Sequence, residues 1–176
     1  GIVQNSGAEV TCPLTAHAAA GQTLVLEKLV CIRTSRDADE RIAAAPSDWS
    51  FRALWDAHTA AWLHTWQDCD RTLPDAELQT GLRYSMFQLM ASCAAHDPTV
   101  SIGARGLTHA RYKGCYFWDT DLFMLPFFLK NDKTAAKNLC LYRANALDAA
   151  RDHAKKMNAA GARYPWMAAL DGSEQC

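Results

Sequence analysis

Hydrophobic and polar positions follow a strand-like pattern early in the chain and a helical pattern later, and the change lies near residues 34–50. Residues 23–33 are rich in β-branched and apolar side chains, which predicts a strand. The segment from Val10 to Thr15 predicts an earlier, shorter strand that ends at or just past Pro13. Residues 35–45 are polar and helix-forming, so we expect a short helix within a link between the two patterns.

Three further helices are predicted from apolar residues that recur at steps of three to four. The first follows the start signal at residues 46–48, and one face of it carries Phe51, Trp55, His58, Trp62 and Trp66. The second opens at Pro74-Asp75, and its apolar residues cover two faces, which predicts deep burial. Its main stripe consists of Leu78, Leu82, Met86, Leu89 and Cys93.

The third predicted helix is long, since it starts at Asn131-Asp132 and is expected to end in a left-handed cap at Gly161. One side of it carries Ala135, Leu139, Tyr142, Ala146 and Ala149. A loop with two glycines and an aromatic stretch over residues 112–129 precede it. The whole pattern predicts a mainly α fold preceded by a short β segment.

Composition and charge narrow the classes of function. Of the 176 residues, 49% are hydrophobic and 21% are charged, which is typical of a globular protein. The 18 basic and 19 acidic residues leave a net charge of −1, so we expect neither a nucleic acid nor a membrane surface as partner. The longest apolar run, residues 123–129, is much shorter than the ~20 residues of a membrane span. The first residues lack the basic and apolar segments of a signal peptide.

Seven cysteines are scattered along the chain, and no two of them form a Cys-x-x-Cys pair. We therefore expect free thiols in a reducing compartment, the cytoplasm, rather than a zinc site or a disulfide framework. The histidines also lack the spacing of metal ligands, so no metal site is expected.

The densest candidate chemistry lies between Tyr112 and Asp121, where four aromatic residues and two carboxylates occur within ten positions. A sugar site needs these residue types. A flat ring such as Trp118 can stack on the apolar C–H face of a pyranose, and a carboxylate such as Asp119 can accept hydrogen bonds from two neighbouring hydroxyls. Composition alone favours the alternative, a buried aromatic helix start with Asp119 or Thr120 as its N-cap.

The order of short motifs resembles the catalytic domain of glycoside hydrolase family 65, whose members are mainly inverting phosphorylases of maltose, trehalose, kojibiose and nigerose. The motifs that carry the resemblance are the segments 55–66, 82–89, 100–107, 112–114, 117–128, 141–151 and 161–166. Cys115 stands where the family usually has histidine, and Asp121 stands where it usually has glutamate. Residues 109–111 read His-Ala-Arg, where the family often has Gly-Glu-Gly. None of these departures touches Trp118 or Asp119.

The resemblance implies a β-sandwich, a helical linker and an (α/α)6 barrel. Residues 1–34 would be the end of the sandwich domain, 35–47 the linker, and 48–176 the N-terminal part of the catalytic barrel. Twelve helices of ~11–12 residues plus loops need a longer segment than this one. We therefore expect a fragment of the family's enzyme, whose partner is the remainder of its own polypeptide or a second copy in a homodimer.

The resemblance also implies a reaction. A glutamic acid protonates the glycosidic oxygen of an α-linked glucose disaccharide while inorganic phosphate, the co-substrate, attacks the anomeric carbon and gives β-glucose 1-phosphate. Neither the family's acid motif nor its phosphate loop occurs in this sequence, so no catalytic residue is assigned. The chain alone is expected to be inactive, and no metal or organic cofactor is implied.

By motif match, the substrate-binding residues would be Trp118, Asp119, Asp121, Arg105, Trp166 and Glu174. Trp118 and Asp119 would hold the glucose in the donor subsite, and Asp121 reaches one methylene less far than the glutamate usual in the family. Arg105 would neutralise a carboxylate or brace its loop, with a structural salt bridge as the alternative. Trp166 would form a wall of the pocket or belong to the core. Glu174 ends a loop that starts at Ala168 and resembles the family's acceptor-sugar loop, and the alternative is a solvated turn.

Two other functions stay open. The first is a related α-glucoside hydrolase of the acid trehalase type, although the run Met124–Phe128 favours the phosphorylases. The second is a non-catalytic module that binds sugar or has a structural role. A phosphate loop would distinguish the phosphorylase from the hydrolase, and a sugar-dependent thermal shift without turnover would indicate the module.

Overall fold

A computed structural model describes residues 4–5, 10–11, 13–32, 49–106 and 110–176. The chain divides into two units, Gly1–His64 and Thr65–Cys176. The predicted domain boundaries at 34/35 and 47/48 lie outside the described residues and stay predictions. The predicted short helix over 35–45 and the helix start signal at 46–48 lie outside them as well.

The described strands of the first unit are short. Strands β1 (Gln4–Asn5) and β2 (Val10–Thr11) pair antiparallel, which confirms the start of the predicted Val10–Thr15 strand. The prediction of a strand over 23–33 is wrong for residues 23–32, which are irregular. Val25 is 81% exposed, and apolar β-branched residues form a strand only where a neighbouring strand supplies hydrogen bonds and a covered face.

Helix α1 (Phe51–Cys69) begins after Ser50, whose Oγ accepts a hydrogen bond from the Ala53 N–H at 3.2 Å. The predicted aromatic face is confirmed over its first turns. The rings of Phe51 and Trp55 stack with centroids 6.1 Å apart, and His58 lies 6.4 Å from Trp55. The step of three to four residues therefore places these rings in one row.

Helix α2 (Ala76–Ser92) begins where its cap signal predicts, because Asp75 Oδ1 accepts a hydrogen bond from the Leu78 N–H at 2.9 Å. The prediction of deep burial is wrong for this helix. Met86 is its one buried residue, whereas Leu78 is 65% exposed and Phe87 is also exposed. Two apolar faces bury a helix only where other elements cover both, and the described elements of this unit cover α2 only in part.

The rest of the second unit surrounds a small core. After a 3₁₀ turn (Ala110–Tyr112) come a π-helical turn (Thr120–Met124) and the helices α3 (Leu125–Asn131), α4 (Lys133–Asn145) and α5 (Leu147–Lys156). The core consists of Ile102, Phe128, Ala135, Ala136 and Leu139. It joins the loop before the aromatic stretch to α3 and α4. No described helix is both long enough and apolar enough to pass through a membrane.

The predicted third helix is two helices. Asp132 caps α4 as expected, because its Oδ1 accepts a hydrogen bond from the Ala135 N–H at 2.9 Å. The helix is interrupted at Ala146, whose N–H is shared between the carbonyls of Tyr142 and Arg143, an arrangement that tightens the last turn.

The predicted cap at Gly161 is wrong, because α5 ends five residues earlier at Lys156. Asn158 adopts the left-handed conformation there, with φ 53°. The N–H of Ala159 then donates to the Ala154 carbonyl at 2.9 Å, and that of Asn158 donates to Lys155 at 3.0 Å. This pair of bonds is a Schellman motif, in which the left-handed residue is usually glycine and sometimes asparagine.

Candidate functional site

The predicted site centres on a turn formed by Trp118 and Asp119, immediately before the π-helical turn. The N–H groups of Asp121 and Leu122 both donate to the Trp118 carbonyl at 3.0 Å. The Trp118 ring is 40% exposed, and Asp119 is exposed too. Single π-helical turns are rare and occur often at functional sites.

The capping alternative for this turn is wrong. Asp119 occupies the N-cap position of the π-helical turn, but its side chain makes no capping hydrogen bond. The buried Thr120 hydroxyl donates to the Ile102 carbonyl at 2.9 Å and ties the turn to the core. The Asp119 side chain is thus exposed and forms no cap.

Hydrogen bonding and ring packing fix the orientation of Trp118. Its indole Nε1–H donates to the Pro165 carbonyl at 2.8 Å. Its ring meets the ring of Trp166 edge to face, with centroids 5.6 Å apart and planes at 76°. Phe117 also packs edge to face against Trp166, with ring centroids 5.9 Å apart. The fold thus brings Trp118 and Trp166 together, and both keep exposed ring surface.

A hairpin over residues 166–176 lies beside this row of rings. Backbone hydrogen bonds of 2.8 Å join Tyr116 and Ala168 in both directions, and Ala168 also pairs with Glu174. Gly172, with φ +80°, packs directly on Ala146 at the junction between α4 and α5. The loop from Ala168 to Glu174 is therefore an ordered hairpin, whereas its contact with an acceptor sugar stays a prediction.

The Glu174 carboxylate holds that hairpin closed. Its Oε2 accepts from the Trp166 N–H at 2.8 Å, and its Oε1 accepts from the N–H groups of Met167, Gln175 and Cys176 at 3.1–3.2 Å. Burial raises the pKa of this carboxyl, but the four N–H donors together lower it further, so the net pKa lies below its usual value.

Asp121 lies in an ion pair that the sequence analysis did not anticipate. Both Nε and Nη2 of Arg143 lie 2.8 Å from Asp121 Oδ2, and Nη2 also donates to the Phe117 carbonyl at 2.9 Å. The Arg143 side chain is only 14% exposed. A buried arginine requires a partner. The position of Arg143 on an otherwise apolar side of a helix was therefore the feature of the sequence from which this ion pair could have been predicted.

Arg105 is exposed, and its guanidinium lies 6.0 Å from the ring centroid of Tyr112. Arg111 lies 5.9 Å from the centroid of the same ring. Arg105 thus makes a cation–π contact with the aromatic segment, and no carboxylate partner is found for it among the described residues.

Over the described ranges, no group of three or more His, Cys, Asp or Glu residues is arranged to hold a metal ion. The described cysteines are free thiols: Cys69 and Cys115 are buried, Cys93 is partly exposed, and Cys31, Cys140 and Cys176 are exposed.

Comparisons with known proteins agree with the motif resemblance. The chain is 40% identical over 163 residues to kojibiose phosphorylase from Caldanaerobacter subterraneus subsp. tengcongensis, which covers 88% of this chain and 21% of the relative. It is 36% identical to α,α-trehalose phosphorylase from Thermoanaerobacter brockii, over 98% of this chain and 23% of the relative. The chain thus spans about a fifth of the length of these curated relatives.

A solved structure from the human microbiome, provisionally described as a kojibiose phosphorylase, superposes with a TM-score of 0.67 at 36% identity. It covers 73% of this chain, and the match covers 19% of that structure. The similarity confirms the mainly α class and a partial (α/α)6 barrel. The profile of the glycosyl hydrolase family 65 central catalytic domain matches residues 83–176, a segment that contains the Trp118–Asp119 turn and the hairpin. The chain therefore belongs to glycosyl hydrolase family 65.

Proposed function

We propose that this chain carries the glucose-binding part of an inverting α-glucoside phosphorylase. That enzyme splits an α-linked glucose disaccharide with inorganic phosphate and releases β-glucose 1-phosphate. The observation that carries the proposal is the exposed, oriented Trp118 ring beside an exposed Asp119 carboxylate that makes no capping hydrogen bond. The names of the relatives, which include kojibiose and trehalose phosphorylases, support the same reaction class.

In the proposed site, the Trp118 ring stacks on the C–H face of glucose and Asp119 accepts hydrogen bonds from adjacent hydroxyls. Such bonds to a charged group contribute about 1.5–3 kcal/mol each. Trp166 forms a wall at right angles to Trp118, and Arg105 braces the segment that leads to the turn.

Asp121 and Glu174 have different proposed roles. Since the Asp121 carboxylate is paired with Arg143, its proposed role is to support the turn rather than to bind the glucose. Glu174 shapes the hairpin on the acceptor side through its four backbone donors. A general acid needs a raised pKa, and Glu174 has a lowered one, so we do not assign it as the acid.

We further propose that the general acid and the phosphate site lie in segments that this sequence does not include. The remainder of the polypeptide, or a second copy of it, would then complete the enzyme. The phosphate co-substrate would be sufficient without an organic cofactor, and the location would be cytoplasmic.

The test measures the binding of methyl α-glucoside to the 176-residue chain by ligand-observed NMR. We expect D119N to weaken binding about tenfold or more, because it removes a charged acceptor. Asp148→Asn is the matched control, since Asp148 is an exposed carboxylate on α5. Equal affinities for the two variants, or no binding by the unaltered chain, would contradict the proposal.

A parallel assay with maltose, trehalose and kojibiose plus phosphate distinguishes the remaining functions. We expect no glucose 1-phosphate and no free glucose from this chain alone. Glucose release without phosphate would favour the hydrolase, and glucose 1-phosphate formation would show that the chain contains its own acid.

A further inference from the structure

Arg143, in the last turn of α4, joins both flanks of the Trp118–Asp119 turn. Its Nη2 donates to the carbonyl of Phe117, the residue before Trp118, at 2.9 Å. Its Nε donates at 2.8 Å to Asp121, the second residue after Asp119. One planar group therefore fixes the chain immediately before and after the two proposed ligand-binding residues.

The same turn of α4 also holds the opposite wall of the site. The Tyr164 hydroxyl donates to the Arg143 carbonyl at 3.0 Å, and the Tyr142 hydroxyl donates to the Ala169 carbonyl at 2.9 Å. Burial raises the pKa of Tyr142 to about 12, so its hydroxyl remains a donor at neutral pH. The segments that carry Trp118 and Trp166 are thus anchored on adjacent residues of one helix.

These contacts of Arg143 are a poor source of stability alone. Its Nη1 is buried and has no hydrogen-bond partner among the described residues. A buried donor without a partner loses its hydration with no compensation, which offsets part of what the ion pair contributes. The guanidinium instead fixes the orientation of the groups that it binds, because its nitrogens are held in one plane.

We propose that Arg143 is a positioning residue that sets the direction of the Trp118 ring and the Asp119 carboxylate. It touches neither the sugar nor the reacting atoms. The inference rests on the proposed glucose site, and it identifies the group that gives that site its geometry. Lysine at this position would keep the charge but would lose the planar set of N–H donors that binds Phe117 and Asp121 together. We therefore expect R143K to loosen the turn.

The first readout needs no ligand. In R143K, the indole N–H of Trp118 should exchange with solvent at least about tenfold faster, because the loosened turn no longer holds this N–H against the Pro165 carbonyl. The signal is measured by NMR of the 176-residue chain and assigned with W118F. Arg151→Lys is the matched control, since Arg151 forms an exposed ion pair on α5.

Backbone amides of α4 serve as the internal reference, because general destabilisation would accelerate them equally with the indole. If R143K does not fold, D121N provides the same test, since it weakens only one of the two anchors. Selective acceleration of the indole supports the proposal. Indole exchange that is unchanged, or that rises only in parallel with the α4 amides, in whichever variant folds overturns it.

The second readout links Arg143 to the ligand. R143K should weaken binding of methyl α-glucoside about tenfold in the unaltered background and by a smaller factor when combined with D119N, because only the positioning of Trp118 then remains to be lost. Equal effects in both backgrounds would show that Arg143 does not act through Asp119. If the chain binds no glucoside at all, the proposed function fails, while the indole measurement still decides whether Arg143 positions Trp118.

Discussion

Gly172 provides the sharpest test of how the hairpin packs. Its φ is +80°, and a Cβ added there would lie 2.6 Å from the Cβ of Ala146 and 3.4 Å from that of Ala149. The left-handed conformation costs a non-glycine residue about 1–2 kcal/mol. Overpacking against α4 and α5 adds about 1–3 kcal/mol. We therefore expect G172A to lower the free energy of unfolding by about 2–5 kcal/mol.

Gly161 supplies the matched control, because its φ is +83° and a Cβ there would meet nothing within 4 Å. G161A should carry only the backbone cost, so the difference between the two variants isolates the contact. With a slope of about 2 kcal/mol per molar urea, the midpoint of G172A should lie about 0.5–1.5 M below that of G161A. Urea unfolding followed by circular dichroism measures both midpoints. Equal midpoints would refute close packing of the hairpin on the helix junction.

Three further outcomes are expected from local contacts. The folded-state pKa of Glu174 is lowered, so the stability that its charge contributes is complete above the ordinary pKa and is lost as pH falls through the folded value. We therefore expect E174Q to lose less stability than the unaltered chain when pH falls from 7 to about 3, as measured by urea unfolding at each pH. Burial raises the pKa of Cys93 to about 11, and the Asp132 carboxylate adds to this shift. A thiol reagent at pH 8 should therefore modify Cys93 at least about tenfold more slowly than exposed Cys140, as measured by peptide mapping. Comparable rates for the two thiols would contradict this expectation. D132A removes the cap of α4 and should cost about 1 kcal/mol in urea unfolding, and a cost no larger than that of Asp148→Ala would argue against the cap.

Helix starts and the family resemblance could be predicted because their signals are local. Asp75 and Asp132 each cap a donor three residues ahead, so the interaction lies within one stretch of sequence. The row of rings in α1 follows from helical spacing alone. The Trp118–Asp119 pair was likewise recognisable from its immediate neighbours.

Predictions failed where the outcome depended on a distant partner. The strand expected over 23–32 would have needed a neighbouring strand, and α2 would have needed covering elements to be buried. The left-handed cap of α5 lies at Asn158 rather than Gly161, although both residues adopt positive φ. Composition favoured a cap role for Asp119 or Thr120, but only the fold shows that the Asp119 side chain makes no capping hydrogen bond.

The sequence by itself determined the helical class, the starts of α2 and α4 and the residue types of the proposed sugar site, because each depends on contacts within a few positions. The tertiary structure decided which carboxylates are already occupied by other groups of the chain. Asp121 and Glu174 read from the sequence as ligand-binding residues, yet Arg143 and a set of backbone N–H groups occupy their carboxylates. The physical reason is that a carboxylate binds the donors that lie near it in space, and for Asp121 the donor lies 22 residues away on another helix.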